Sequence, residues 1–127
     1  LPQVVSETLF WSSQNQNKFW EHLISVEDQD NLRHQIAARE LVAFIADGAI
    51  LPRRSGNSDL PMSSSSVVPF QSPAAFKTQF KLTSGREVTG MGFGKGVHLI
   101  VGGGFHGKTT VLKALEVGVY NKVVGDG

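Results

Sequence analysis

The sequence contains no cysteine, which excludes disulfide bonds and thiolate metal sites but does not decide the cellular compartment. It has no run of about twenty apolar residues, which excludes a membrane-spanning helix and predicts no membrane partner. Charge of one sign is not in excess either, since 12 Lys and Arg against 11 Asp and Glu give a net charge of +1. This balance provides no broad electrostatic attraction to nucleic acid or to a lipid surface. The compartment stays open at this point, and a soluble, intracellular protein is the first expectation.

Glycine is abundant, with 14 residues, and one glycine-rich stretch organises the chain. Residues 102–109 read GGGFHGKT and satisfy G-x-x-x-x-G-K-[ST], the phosphate-binding loop. Residues 97–101 before it are apolar and largely β-branched, which predicts a strand. Residues 110–116 after it have apolar side chains at helical spacing. Strand, loop and helix follow in the order that phosphate binding requires, because the positive end of the helix then faces the phosphates. The alternative is a glycine-rich turn that carries a lysine by chance.

Each residue type in the loop has a predicted role toward a nucleotide. The backbone N–H groups of residues 104–109 are expected to surround the β-phosphate. The ammonium of Lys108 is expected to reach the β- and γ-phosphates, which makes it the catalytic candidate. The hydroxyl of Thr109 is expected to complete the shell of Mg²⁺, with Thr110 near the α-phosphate. His106 either contacts a phosphate or lies exposed on the outer turn. The predicted nucleotide-binding residues are Gly102, Gly103, Gly104, Phe105, His106, Gly107, Lys108, Thr109 and Thr110.

The residues before the first predicted strand indicate two helices. Large apolar side chains recur at helical spacing in the first helix and are expected in the core: Phe19, Trp20, Leu23 and Ile24. The second helix is expected to begin at Ser25, because residues 25–28 have the spacing of a capping box.

A β-hairpin and an irregular loop are predicted next. The apolar runs 41–45 and 49–51 flank Asp47-Gly48, a strong turn signal. Residues 53–73 have no periodicity and contain four consecutive serines, which predicts a flexible loop. Arg53 and Arg54, at its start, either hold a phosphate of a nucleotide or nucleic acid or form a solvated pair at a strand end.

From residue 74 the chain predicts an antiparallel pair of strands that leads to the glycine-rich loop. Residues 76–82 alternate apolar and polar side chains, as a half-buried strand does, and residues 86–93 return after a turn at Ser84-Gly85. Gly118 is expected to end or kink the helix that follows the loop.

The length of 127 residues suits one compact domain but is short for a complete nucleotide-hydrolysing fold. The chain begins with Leu1 rather than Met and ends in the turn-forming residues 125–127. We therefore expect it to be a segment of a longer protein.

LVAFIADGAILPRRSG stands at residues 41–56, VPFQSP stands at 68–73, and a third segment runs from VTGMG at 88–92 through the loop to GDG at 125–127. These three segments resemble the predicted ATPases of the ABC class, a family of soluble proteins distinct from the transporters. The resemblance covers most of residues 26–127. It differs from transporter-type loops at Phe105, where those loops have a glycine.

The resemblance implies an α/β fold that is a fragment of an ABC-type P-loop NTPase core. In this fold an antiparallel hairpin leads into strand, loop and helix, after an α+β N-terminal part. The implied division is a helical part and hairpin at residues 1–52, a flexible loop at 53–73, and the start of a nucleotide-binding domain at 74–127. The implied cofactors are ATP and Mg²⁺. The intact protein is expected to be a homodimer that hydrolyses ATP to drive a conformational change.

In ABC domains an aromatic residue before the loop often stacks on adenine, and the resemblance makes Phe76 and Phe80 the candidates here. The alternative for each of them is an inward-facing position on a strand. The carboxylate that holds Mg²⁺, the general base and the ABC signature helix are not found in these residues. We therefore expect this segment alone to hold the phosphates without turnover. Two alternatives remain, a nucleotide-gated RNA- or DNA-binding module and a nucleotide kinase or GTPase.

Overall fold

The elements of the chain were assigned in a computed structural model that describes residues 1–127, except for the side chain of Ser64. Its helices and strands form a mixed α/β arrangement with one small antiparallel sheet. The helices are α1 (Pro2–Thr8), α2 (Gln16–Ala38) and α3 (Lys108–Val117), and the strands are β1 (Leu41–Ala46), β2 (Lys77–Lys81) and β3 (Glu87–Gly94). Single turns of 3₁₀ helix occur at Trp11–Ser13, Ser64–Ser66 and Ala74–Phe76.

Helix α2 is one continuous helix, so the prediction of a second helix beginning at Ser25 was wrong. Asn15 caps its first turn, with the side chain accepting a hydrogen bond from the N–H of Lys18 at 3.1 Å. No glycine or proline lies within the helix to break it. Ser25 therefore stays helical, and its hydroxyl accepts a hydrogen bond from the side chain of Gln29 at 3.1 Å instead of capping a new helix.

The predicted core on the first part of α2 was also wrong. Phe19 and Trp20 are 50% and 53% exposed and pack on each other edge-to-face, and Leu23 and Ile24 are exposed as well. The reason is that the hydrogen bonds from α2 to the sheet region come from farther along the helix, where Gln35 donates to the carbonyl of Lys81 at 2.7 Å. The buried apolar side chains lie mainly in the strands: Ile45, Phe80, Leu82 and Phe93.

The sheet has the strand order β1-β3-β2, and both pairs are antiparallel. The predicted hairpin of β2 and β3 is confirmed, with a turn in which Gly85 adopts a φ of +85° that favours glycine. Asp28 of α2 is buried, and its carboxylate accepts hydrogen bonds from the N–H and the hydroxyl of Ser84 at 3.0 and 2.7 Å. This carboxylate fixes the hairpin turn to the helix.

The predicted hairpin around Asp47-Gly48 is only half formed. The first strand is present as β1, but β1 pairs with β3, and residues 49–51 form no strand. The carboxylate of Asp47 accepts hydrogen bonds from the N–H and the hydroxyl of Ser72 at 2.5 and 3.0 Å. Gly48 donates to the carbonyl of Phe70 at 2.8 Å. The chain after the turn is thus held by residues 70–72 rather than folding back on β1.

The predicted irregular loop at residues 53–73 contains a paired segment. Arg53 forms an isolated antiparallel bridge with Pro61, and the N–H of Arg54 donates to the carbonyl of Leu60 at 2.9 Å. Because β1 pairs with β3, one sheet contains strands from two of the predicted parts of the chain, residues 1–52 and residues 74–127.

Candidate functional site

The helix predicted after the glycine-rich loop is confirmed as α3, which begins at Lys108. Gly107 caps it with a φ of +78°, a left-handed conformation that glycine adopts at little cost. The N–H of Val111 donates to the carbonyl of Gly107 at 3.0 Å and closes the first turn. Gly118 ends the helix as predicted, with its N–H donating to the carbonyl of Leu115 at 3.2 Å.

The strand predicted before the loop is not present. Residues 97–101 take part in no backbone–backbone hydrogen bond with any described residue, and Val97, Leu99 and Val101 are largely exposed. A strand needs partners for its backbone groups, and no strand of the described chain pairs with this segment. His98 instead contacts the end of β3, with its Nε2 2.8 Å from the carbonyl oxygen of Gly94.

The loop presents a run of backbone donors without acceptors. Within the part of the chain that the structure describes, no N–H of residues 102–110 makes a hydrogen bond to a backbone or side-chain acceptor. Three of these N–H groups belong to the first turn of α3, where the helix leaves them unsatisfied and its dipole is positive. Such a run of free N–H groups can bind an anion with several oxygens, such as a phosphate.

Lys108 folds back over the loop. Its ammonium donates to the carbonyl of Gly102 at 2.8 Å and also to the carbonyl of Gly103. A methyl group added at Gly102 would lie 3.8 Å from Cδ of Lys108, so the aliphatic stem lies against this glycine. The Lys108 side chain is half exposed, and its ammonium contacts these two backbone carbonyls rather than apolar side chains.

His106 is exposed on the loop. Its ring lies against Gly103, where an added Cβ would be 2.9 Å from the ring atom Cε1. Gly103 therefore could not be replaced by a residue with a side chain unless the imidazole moved.

Thr109 and Thr110 follow Lys108 on the first turn of α3. Thr109 is exposed, and its hydroxyl makes no hydrogen bond to another described residue. No group of three or more His, Asp or Glu side chains that could hold a metal ion is found among the described residues. A Mg²⁺ ion bound here would therefore share the Thr109 oxygen with oxygens of a phosphate, which is a common arrangement for this ion.

Arg53 and Arg54, predicted either to hold a phosphate or to form a solvated pair, differ in their contacts. The guanidinium of Arg53 donates to the carbonyl and the carboxylate of Asp126, at 2.5 and 3.2 Å, and to the carbonyls of Ile50 and Asp59. Arg54 is exposed, and its guanidinium makes no hydrogen bond to a described residue. Asp126 was missed by the sequence analysis, since no local signal connects it to an arginine 73 residues away.

The two aromatic candidates for stacking on adenine also differ in their exposure. Phe80 is fully buried, with its ring edge-to-face on Phe44 at 5.1 Å and the guanidinium of Arg39 at 4.3 Å from its centroid. It therefore occupies a core position and offers no free face to a base. Phe76 is 52% exposed and is the last residue of the 3₁₀ turn that precedes β2.

A cavity of about 490 Å³ lies away from the loop, between α2, β1 and the second half of α3. Its lining is mainly apolar and includes Ile36, Leu41 and Leu115, with none of residues 102–110. The cavity and the exposed loop are thus different parts of the surface, and the donors suited to phosphate lie at the loop.

A family model described as ABC_ATPase, P-loop domain, matches residues 15–127. The match includes α2, the sheet, residues 102–110 and α3. No curated protein matches the chain. None of the helices in the described residues combines the length and the apolar character needed to cross a membrane. Because the match covers most of the sequence, this chain belongs to the ABC_ATPase P-loop domain family.

Proposed function

We propose that this chain binds ATP and Mg²⁺ through a Walker A loop, residues 102–110, and is the nucleotide-binding part of an ABC-class ATPase. The observation that carries this function is the run of unpaired N–H groups at the positive end of α3, with the ammonium of Lys108 beside it. The family match supports a nucleotide as the anion.

In this function Lys108 changes partners when the nucleotide binds. In the structure its ammonium donates to two backbone carbonyls of its own loop. Phosphate oxygens carry more negative charge than carbonyl oxygens, so the charge-assisted bonds to the β- and γ-phosphates are stronger. The side chain is half exposed, so the exchange requires no repacking of the core. When bound, Mg²⁺ neutralises charge on the phosphates, and the hydroxyl of Thr109 supplies one of its ligands.

Hydrolysis belongs to the intact assembly in this proposal. We assign no general base within the chain, and phosphoryl transfer requires the base, the metal ligands and the loop to be placed together. We propose that two copies close on the bound nucleotide and that this closure drives a conformational change elsewhere. Nucleotide shifts such an equilibrium only through a higher affinity for the closed state.

The test compares Lys108→Ala with Lys113→Ala by calorimetric titration of ATP in the presence of Mg²⁺. Lys113 lies on the same helix and pairs with Glu116 at 2.9 Å on an exposed face, so its variant removes the same charge outside the loop. A hydrogen bond to a charged group contributes about 1.5–3 kcal/mol, so we expect Lys108→Ala to weaken binding by about 10- to 150-fold. Lys113→Ala should bind as the wild type does. Wild-type affinity in Lys108→Ala would contradict the proposed function.

A nucleotide-gated RNA- or DNA-binding function is the alternative, and the exposed guanidinium of Arg54 is the observation in its favour. Its neighbour Arg53 is held by Asp126, and the net charge of the chain is only +1. We therefore expect single-stranded RNA to show no salt-dependent binding in a titration at about 50 and 200 mM salt, with and without ATP. Tight binding that weakens with salt and is lost in Arg54→Gln would establish the alternative.

A further inference from the structure

Phe105 adopts a backbone conformation that a bulky residue rarely takes. Its φ is +59°, in the left-handed region that glycine enters at little cost. Glycine at this position would give the same loop path without strain, yet the chain has an aromatic residue there. Strained residues of this kind are concentrated at functional sites, where the side chain is needed.

The ring of Phe105 is not used by the fold. The residue is 111% exposed relative to its reference, whereas the neighbouring imidazole of His106 packs on Gly103. Two glycines of the same loop are open as well, since a Cβ added at Gly104 or at Gly107 would meet no atom within 4 Å outside the adjacent residues of the chain. The ring therefore has free faces and space for a flat group beside it, and neither packing nor turn geometry explains its presence.

Phe105 also lies within the run of free N–H groups proposed to hold the phosphates. Of the two aromatic residues considered earlier as candidates for base stacking, Phe80 is fully buried and Phe76 is exposed. Only Phe76 is therefore a rival candidate for stacking on the base. A nucleoside is tethered to its phosphates, so a ring on the loop is well situated to meet it. Base stacking on an aromatic side chain accepts any purine, because the contact is with the face of the ring system.

We propose that Phe105 stacks on the purine base of the nucleotide and makes this loop select nucleoside triphosphate over bare phosphate chains. The inference rests on the proposed function and identifies a residue that determines specificity at the same site. Removal of a stacking aromatic ring lowers the affinity for a base by about 5- to 150-fold. We therefore expect Phe105→Ala to weaken ATP binding by at least about fivefold and to leave the binding of inorganic tripolyphosphate unchanged, since alanine keeps the Cβ and with it the same loop conformation.

The experiment measures the affinities of ATP and of inorganic tripolyphosphate, each with Mg²⁺, for the 127-residue chain. The variants are Phe105→Ala, Phe105→Tyr, which keeps the ring, Phe76→Ala as the rival site, and Phe10→Ala as a control. Phe10 is 57% exposed and lies outside the residues matched by the family. Unchanged tripolyphosphate binding in a variant shows that its loop is intact.

A lower ratio of ATP to tripolyphosphate affinity in Phe105→Ala alone, with recovery in Phe105→Tyr, would support the inference. A lower ratio in Phe76→Ala instead, or an unchanged ratio in Phe105→Ala, would overturn it while leaving the proposed function intact. Equal losses for both ligands in Phe105→Ala would also overturn it, because the ring would then serve the loop rather than the base. If the wild type bound neither ligand, the proposed function would fail together with the inference.

Discussion

Replacing Gly90 with alanine tests the strand arrangement that supports the whole sheet. Gly90 lies in β3 opposite Ala46, and a Cβ added there would be 2.1 Å from the carbonyl oxygen of Ile45 and 2.8 Å from Cα of Ala46. Both are backbone atoms, so the contact is relieved only if β1 moves away from β3. Inserting a methyl group into a packed site costs about 1–3 kcal/mol, and we expect the upper part of this range because a backbone must shift.

The assay is urea unfolding followed by circular dichroism. With a slope of about 1–3 kcal/mol per molar urea, a loss of about 3 kcal/mol lowers the midpoint by about 1–3 M. Gly94→Ala is the matched control, because Gly94 lies in the same strand and an added Cβ would meet no atom within 4 Å. The free energy of unfolding of Gly94→Ala should equal that of the wild type or exceed it by up to about 1 kcal/mol, since alanine restricts the conformations of the unfolded chain. Equal midpoints for the two variants would refute the close approach of β1 and β3 at Gly90.

Two further predictions concern polar contacts that join distant parts of the chain. The N–H of Ser72, then its hydroxyl and the ammonium of Lys77, hold the pKa of Asp47 below its ordinary value. This stabilisation is fully present above about pH 4 and is lost as the pH falls through the lowered pKa. The difference in urea midpoint between wild type and Asp47→Asn should therefore shrink from pH 7 to pH 3, and a difference independent of pH would contradict the assignment. Arg53→Gln should lower the melting temperature by about 5–10 °C through loss of its charged hydrogen bonds, whereas the exposed Arg54→Gln should change it by less than about 2 °C. Equal shifts in a thermal scan would show that Arg53 is not the structural member of the pair.

Local signals were enough to predict the elements nearest the site. Alternation at residues 76–82 predicted β2 because one face of that strand is buried, with Phe80 at its centre. Helical spacing after the loop predicted α3, and Gly118 ends it as expected. The phosphate-binding pattern itself was recognisable because glycines, a lysine and threonines are required at fixed positions along the chain.

Pairing between distant residues was not predictable in the same way. The turn at Asp47-Gly48 was found, but its partner Ser72 lies 25 residues away, and nothing near the turn indicates that this residue takes the hydrogen bonds. The spacing of Phe19 and Trp20 correctly placed them on a helix, but periodicity shows which residues share a face and not whether that face is covered. The sequence alone showed that Phe105 stands where transporter-type loops have glycine. That its φ is left-handed was visible only in the structure.

The segment that enters the loop has a thermodynamic consequence for phosphate affinity. Residues 97–101 make no backbone–backbone hydrogen bonds to described residues, so secondary structure anchors the loop on the α3 side alone. If phosphate binding fixes the entering chain, part of the binding free energy goes into that ordering, which weakens the measured affinity. A strand that paired with 97–101 would remove this ordering term and tighten nucleotide binding without touching the nucleotide. Because such coupling is reciprocal, bound nucleotide would strengthen the strand pairing by the same factor.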